Sequence, residues 1–138
     1  KIKWKDVRSE TKVIYTHNVE NDIIPIPKLH INTILYHQNP IPHAVLKSQI
    51  GLEAHWKSKF SGQNYMPATQ QFYLQNDFQI GNTVLLDLFF NFTVSRITIS
   101  TKVSNLLDRI SKQGYFETPF YMGQPRAFEF NVTWMFFD

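Results

Sequence analysis

Apolar and polar residues alternate over long runs of this chain. In residues 127–138 Phe128, Phe130, Val132, Trp134 and Phe136 hold the even positions, and Ala127, Glu129, Asn131 and Thr133 the odd ones. Side chains on a β-strand point to opposite faces with period two, so this stretch predicts a strand with one large apolar face and one mostly polar face. Val84, Leu86, Leu88, Phe90, Phe92 and Val94 form a second apolar series, opposite Thr83, Leu85, Asp87, Phe89, Asn91 and Thr93. Ile97, Ile99, Thr101 and Val103 form a third, opposite Arg96, Thr98, Ser100 and Lys102. The apolar parity switches between residues 94 and 97. A two-residue turn at Ser95 and Arg96 makes that switch by pairing Val94 with Ile97 on one face.

Upstream, Leu29, Ile31, Thr33 and Leu35 alternate with His30, Asn32, Ile34 and Tyr36, predicting a strand over 28–37. Ala44, Leu46, Ile50, Leu52, Ala54 and Trp56 then oppose Lys47, Gln49, Glu53, His55 and Lys57, with Gly51 among the latter. A strand of this length exceeds the usual five or six residues of globular sheets. Residues 71–80 alternate as well, and a three-residue loop through Gly81 and Asn82 would pair Ile80 with Val84. Residues 12–16 read as part of a strand and Trp4 as part of an earlier one, within a poorly defined N-terminal portion, 1–20. Breaks fall at 22–27, where Pro25 and Pro27 cannot donate to a ladder, and at 38–43, 58–69 and 105–126. Residues 106–113 read as loop rather than as a short helical turn. The expectation is one segment, 1–138, of about six to eight antiparallel strands in meander order with no helix, either a barrel or a sandwich.

Composition narrows this choice. The chain is 43% hydrophobic and 15% aromatic, yet its mean hydropathy is only −0.28, so the aromatics are diluted by polar neighbours along alternating strands. No run of about 18 apolar residues exists to make a transmembrane helix, which has no bearing on a membrane barrel. The net charge of +3 comes from scattered lysines. The densest cluster, Lys1, Lys3, Lys5 and Arg8, is no basic stripe, so no nucleic-acid partner is expected. The absence of cysteine excludes disulfides and thiolate chemistry.

The polar faces decide between barrel and sandwich. A soluble sandwich turns charge toward water, whereas these faces carry mainly Thr, Ser, Asn, Gln and Tyr, which suits an enclosed lumen. The apolar faces are nearly free of charge, as lipid demands: Arg or Lys at mid-depth costs ~2–4 kcal/mol. The pattern therefore predicts an antiparallel transmembrane β-barrel with membrane lipid as its partner. Lumen-facing candidates are Lys47, Glu53, His55, Asp87, Asn91, Lys102, Glu129 and Asn131. Lipid-facing candidates are Leu86, Leu88, Phe90, Phe92, Phe128, Phe130, Val132, Trp134 and Phe136. The alternative is a soluble ligand-binding β-sandwich, in which Phe90, Phe92, Phe128 and Trp134 would lie beneath a second layer.

No catalytic constellation stands out, and no cofactor is expected. His17, His30, His37, His43 and His55 are not spaced as a metal set. Glu53, Asp77, Asp87 and Glu129 could join Lys47, Lys57, Arg96 and Lys102 in a lumen charge network. Trp56, Phe60, Tyr65, Trp134, Phe136 and Phe137 suit interfacial aromatic girdles. Tyr115, Phe116, Phe120 and Tyr121 are expected to pack within the long loop.

The ending RAFEFNVTWMFFD resembles the C-terminal strand of outer-membrane barrels from Bacteroidetes. So do QIGLEAHWKSKF at 49–60, YMPATQQFYLQ at 65–75, LLDLFFNFTVSRITISTKVSNL at 85–106 and YFETPFYMGQPRAFEF at 115–130. In this order, over roughly residues 22–138, they are most similar to the C-terminal part of the putative porin family. LDLFFNF, VSNL and PFYMGQPRAF also resemble the last strands of TonB-dependent receptors, which gives a second family reading. The resemblance implies an outer-membrane, porin-like protein that passes small solutes or builds an outer-membrane assembly, with membrane lipid and either other outer-membrane proteins or the remainder of a longer barrel as partners. It implies that residues 95–96 form a periplasmic turn and 105–126 an extracellular loop. Residues 70–80 then either cross the membrane or belong to a long extracellular excursion, with the short turn at 38–43.

Overall fold

The computed structural model describes residues 2–4, 6–17, 25–40, 46–108 and 115–136, and they contain strands, turns and bends but no helix. The strands in chain order are β1 (Ile2–Trp4), β2 (Val7–Tyr15), β3 (Leu29–Pro40), β4 (Leu46–Lys57), β5 (Phe60–Ser61), β6 (Asn64–Met66), β7 (Gln71–Tyr73), β8 (Gln79–Ile80), β9 (Val84–Val94), β10 (Ile97–Ser104), β11 (Phe116–Thr118), β12 (Tyr121–Met122) and β13 (Ala127–Trp134). Seven of them build one sheet in the order β1-β2-β3-β4-β9-β10-β13, and each neighbouring pair is antiparallel. The sheet is not closed: β1 and β13 are its outer strands.

The register follows the alternation. Val94 pairs with Ile97 around Ser95, whose φ of 52° supplies the left-handed residue of the tight turn. The Met135 amide donates to the Arg96 carbonyl at 3.0 Å, fixing the end of β13 beside this turn. From there the apolar series of β9, β10 and β13 run level with one another: Phe92 beside Ile99 and Val132, Phe90 beside Thr101 and Phe130, Leu88 beside Val103 and Phe128.

Two sequence expectations are corrected. Residues 71–80 are no sheet strand. Only Gln71–Tyr73 and Gln79–Ile80 are extended, and they pair with β6 and β5 in two short ribbons. Ile80 accordingly pairs with Phe60, not Val84, and β4 passes directly to β9 with Trp56 opposite Val84. The cause is local hydrogen bonding. The Gln75 side chain donates to the carbonyls of Gly62 at 2.7 Å and Phe78 at 2.8 Å and accepts from the Phe78 amide at 2.7 Å, which turns the chain back on itself. Gly81, at φ 99°, completes the return. The second correction concerns β3, which continues to Pro40 and so takes in half of the break expected at 38–43. Residues 41–43 of that break lie outside the described residues, as do 109–113 of the stretch 106–113; residues 106–108 form a turn.

Connections sort by length. At one end of the sheet lie the turn at 95–96 and the link from β1 to β2. At the other lie 16–28, 58–83 and 105–126, the last containing the β11–β12 hairpin. Beyond that second end sits the little apolar packing the fold has. Ile80, at 4% exposure, and the fully buried Pro119 are its centre. A Cβ on neighbouring Gly62 would come within 2.8 Å of the Pro119 ring and 3.0 Å of Ile80, so the three pack in direct contact. Phe78 meets Phe116 edge-on at 5.1 Å and stacks on Phe120 at 5.0 Å. Phe116 and Phe120 thus touch the other excursion through Phe78, while both Phe120 and Tyr121 stay largely exposed.

The apolar face of the sheet is uncovered. Phe128 is 69%, Phe130 62% and Trp134 57% exposed, and no second sheet packs over them among the described residues. A soluble sandwich buries this surface; soluble monomers rarely leave so large a patch bare.

Candidate functional site

The opposite face carries the polar groups, and the register arranges them in rows. One row holds Gln38, Gln49, Asn91, Ser100 and Asn131 on the adjacent strands β3, β4, β9, β10 and β13. Asn91 Nδ2 donates to Gln49 Oε1 at 3.2 Å within it. The next polar row holds Arg8, Tyr36, Gly51, Phe89, Lys102 and Glu129. The row beyond holds Glu10, Ile34, Glu53 and Asp87. All eight lumen-facing candidates, Lys47, Glu53, His55, Asp87, Asn91, Lys102, Glu129 and Asn131, stand on this one face. The lipid-facing candidates Leu86, Leu88, Phe90, Phe92, Phe128, Phe130, Val132 and Trp134 stand on the other.

At the centre of the polar face lies an ion network. Glu53 and Asp87 are direct cross-strand partners on β4 and β9. Lys102, on β10, places Nζ 2.8 Å from Asp87 Oδ2 and 3.5 Å from Glu53 Oε2. The second Asp87 oxygen accepts from the Asn105 amide at 2.9 Å, so this carboxylate, in a residue 7% exposed, is held on both sides. His55 Nε2 lies 3.4 Å from Glu53 Oε1, and His55 Nδ1 donates to Asn32 Oδ1 at 2.9 Å. The network anticipated from sequence therefore forms from Glu53, Asp87 and Lys102. Asp77 lies off the sheet, in the bend between β7 and β8, and Arg96 lies in the turn between β9 and β10. Glu53, His55 and Asp87 bring possible ligand atoms within 4.8 Å of one another, a grouping that histidine spacing alone did not reveal. The Lys102 ammonium already stands among those carboxylates, where a cation's charge would go.

Sequence reasoning missed several neighbours. Tyr36, whose hydroxyl donates to Glu10 Oε1 at 3.5 Å, and Phe89 flank Gly51. A Cβ on Gly51 would lie 2.6 Å from Tyr36 Cβ and 2.7 Å from Phe89 Cζ, so the missing side chain is what admits the Phe89 ring. A cavity of about 640 Å³ lies over these rows, lined by Tyr36, Gln49, Glu53, Phe89, Asn91, Lys102, Glu129 and Asn131 among others. The glycine amid the polar positions of β4 was the available signal.

The girdle aromatics divide. Trp56 stands near one end of the apolar face, and Trp134 near the other, stacked on Phe136 at 4.7 Å. Phe60 and Tyr65 belong to the short ribbons instead, and Phe137 lies outside the described residues.

A model of the family described as Putative porin matches residues 1–138. The chain belongs to that family. The match includes the N-terminal residues that the sequence resemblance left out. The porin family's all-β, antiparallel, outer-membrane character agrees with the sheet described above, and a porin-like role follows at that level. No curated protein and no solved structure matches the chain.

Proposed function

We propose that this porin-family chain forms part of the wall of an outer-membrane β-barrel, with its polar face toward an aqueous lumen and its apolar face toward lipid, and that the barrel passes small solutes passively. The observation that carries the reading is the division of the sheet. Every charged group of the Glu53–Asp87–Lys102 network is on one face, and Phe90, Phe128, Phe130 and Trp134 are exposed on the other.

Dimensions support it. Val84 to Val94 is ten steps along β9, or about 33 Å at roughly 3.3 Å per residue. Tilted by about 40°, that length rises about 25 Å, the height of the apolar band of such barrels. Trp56 and Trp134, near opposite ends of the face, suit its two aromatic girdles. The short connections would lie in the periplasm and the excursions 58–83 and 105–126 outside the cell.

The outer strands β1 and β13 need partners, since an open edge in lipid leaves backbone groups unsatisfied. In a sheet of seven antiparallel strands the two edges run the same way. An odd number of further strands of a longer barrel would close it with antiparallel pairs throughout. The test is reconstitution of the full-length protein into liposomes. Passive entry of small neutral solutes, with a size cut-off and no energy source, is the expected result. Recovery of the protein from the aqueous fraction without detergent would overturn the reading.

A further inference from the structure

We infer that the polar face carries a binding subsite for a neutral, polyhydroxylated solute, an oligosaccharide segment, centred on Phe89 and Asn91. The inference rests on the proposed lumen and names the class of solute that this part of it holds.

The chemistry is set by adjacent rows. Gln49, Asn91, Ser100 and Asn131 present amide and hydroxyl groups on four neighbouring strands, without a charge among them. Both donors and acceptors are available along this row, since each amide offers an N–H₂ and a carbonyl. Two residues away along the strands, Tyr36 and Phe89 provide aromatic surface on either side of Gly51, and both line the cavity. A sugar ring is built for such a pair of surfaces. Its axial C–H groups lie on an aromatic face, while its equatorial hydroxyls each need a donor and an acceptor. The cavity, at about 640 Å³, falls within the range of sites that hold small organic ligands, which are likewise aromatic with a few placed polar groups.

Charge argues against an anionic occupant: Glu10, Glu53 and Glu129 line the cavity against Lys102. The ammonium of Lys102 is engaged by Asp87 at 2.8 Å and by Glu53 at 3.5 Å, so it is not offered to an anion. Glu53 in turn faces Lys102, and Glu10 accepts from the Tyr36 hydroxyl at 3.5 Å; carboxylates only accept, so the amide row supplies the side-chain N–H donors that a polyhydroxylated solute also needs.

The experiment titrates maltohexaose into the full-length, detergent-solubilised protein by calorimetry, with polyethylene glycol of equal hydrodynamic radius as control. The variants are Phe89→Ala and Asn131→Ala. Asn131 is exposed, so its replacement tests the site without disturbing packing. Saturable binding of the glucan but not of the polymer is expected, and each variant should raise the half-saturating concentration about three- to tenfold. No saturable binding, equal binding of the polymer, or wild-type affinity in both variants would overturn the inference. Potassium conductance of the same protein in planar bilayers keeps the two readings apart. A protein that conducts but does not bind the glucan contradicts the subsite; one that binds but does not conduct contradicts the pore.

Discussion

Glu53 and Asp87 face one another across β4 and β9 as direct register partners, two carboxylates on the same side of the sheet. Like charges so placed are destabilising, and the Lys102 ammonium, bonded to both, offsets their repulsion. The three residues act as a unit, so the lysine's removal should be felt by both acids.

Lys102→Met is expected to destabilise the fold by about 1–3 kcal/mol, toward the lower end because the lysine is about one-third exposed. The check is the denaturant midpoint in detergent micelles at unchanged slope. Lys102→Glu should also shift the reversal potential of the open pore toward cation selectivity. An unchanged reversal potential would place the network away from the conducting path.

Gly51→Val should be costly. Its side chain would meet the Leu35 carbonyl at 2.6 Å and the Phe89 ring at 2.7 Å. Overpacking of this kind costs typically about 1–3 kcal/mol. Combining it with Phe89→Ala should recover part of the loss, which a double-mutant cycle on unfolding free energies would measure.

Ser95 holds a left-handed conformation at φ 52°. Ser95→Gly should therefore gain about 1 kcal/mol, and Ser95→Val should lose at least as much. Refolding yield into micelles, read from the heat-modifiable band on a gel, should rank the three as Gly, Ser, Val.

Tyr115 stands in the long loop, its ring packed against Gly123. Burial, then the nearby Glu117 carboxylate, pushes its phenol above the ordinary value of 10.0. A raised acid pKa means the folded loop holds its proton after the unfolded one has lost it. Stability from this group is thus complete below pH 10 and falls as pH rises through the folded value. Proteolysis of the loop should accelerate in that window, and Tyr115→Phe should remove the alkaline step.

Strands β3, β4, β9, β10 and β13 were legible because one face of each is consistently apolar, whereas β1 and β2 were read only in part, at Trp4 and 12–16. Phe128 to Trp134 alternates without interruption, Val84 to Val94 keeps an unbroken apolar face although Leu85 and Phe89 stand on the other, and the parity switch at Ser95 located its turn. Residues 71–80 misled for a physical reason. Phe72 and Tyr73 serve a ribbon with β6, and Phe78 and Ile80 serve the apolar cluster beyond the sheet, yet together they mimic one alternating strand. What fixes the fold there is the Gln75 side chain bonding to backbone, which has no periodicity. Of the site, the faces could be read but the neighbours could not. That Glu53 opposes Asp87, or that Gly51 sits between Tyr36 and Phe89, depends on register between strands far apart in sequence.

The central claim is that one side of this sheet meets hydrocarbon and the other meets enclosed water. The sequence contains no cysteine, so single cysteines can be introduced along β9 and spin-labelled without background from this region. The labelled full-length protein in bilayers is then exposed to oxygen, which collects in hydrocarbon, and to a charged nickel chelate, which stays in water. Labels at Leu86, Leu88, Phe90 and Phe92 should favour oxygen, and labels at Phe89, Asn91 and Thr93 the chelate, alternating residue by residue. Chelate access at both sets, or shielding of the first set from both reagents, would contradict the account.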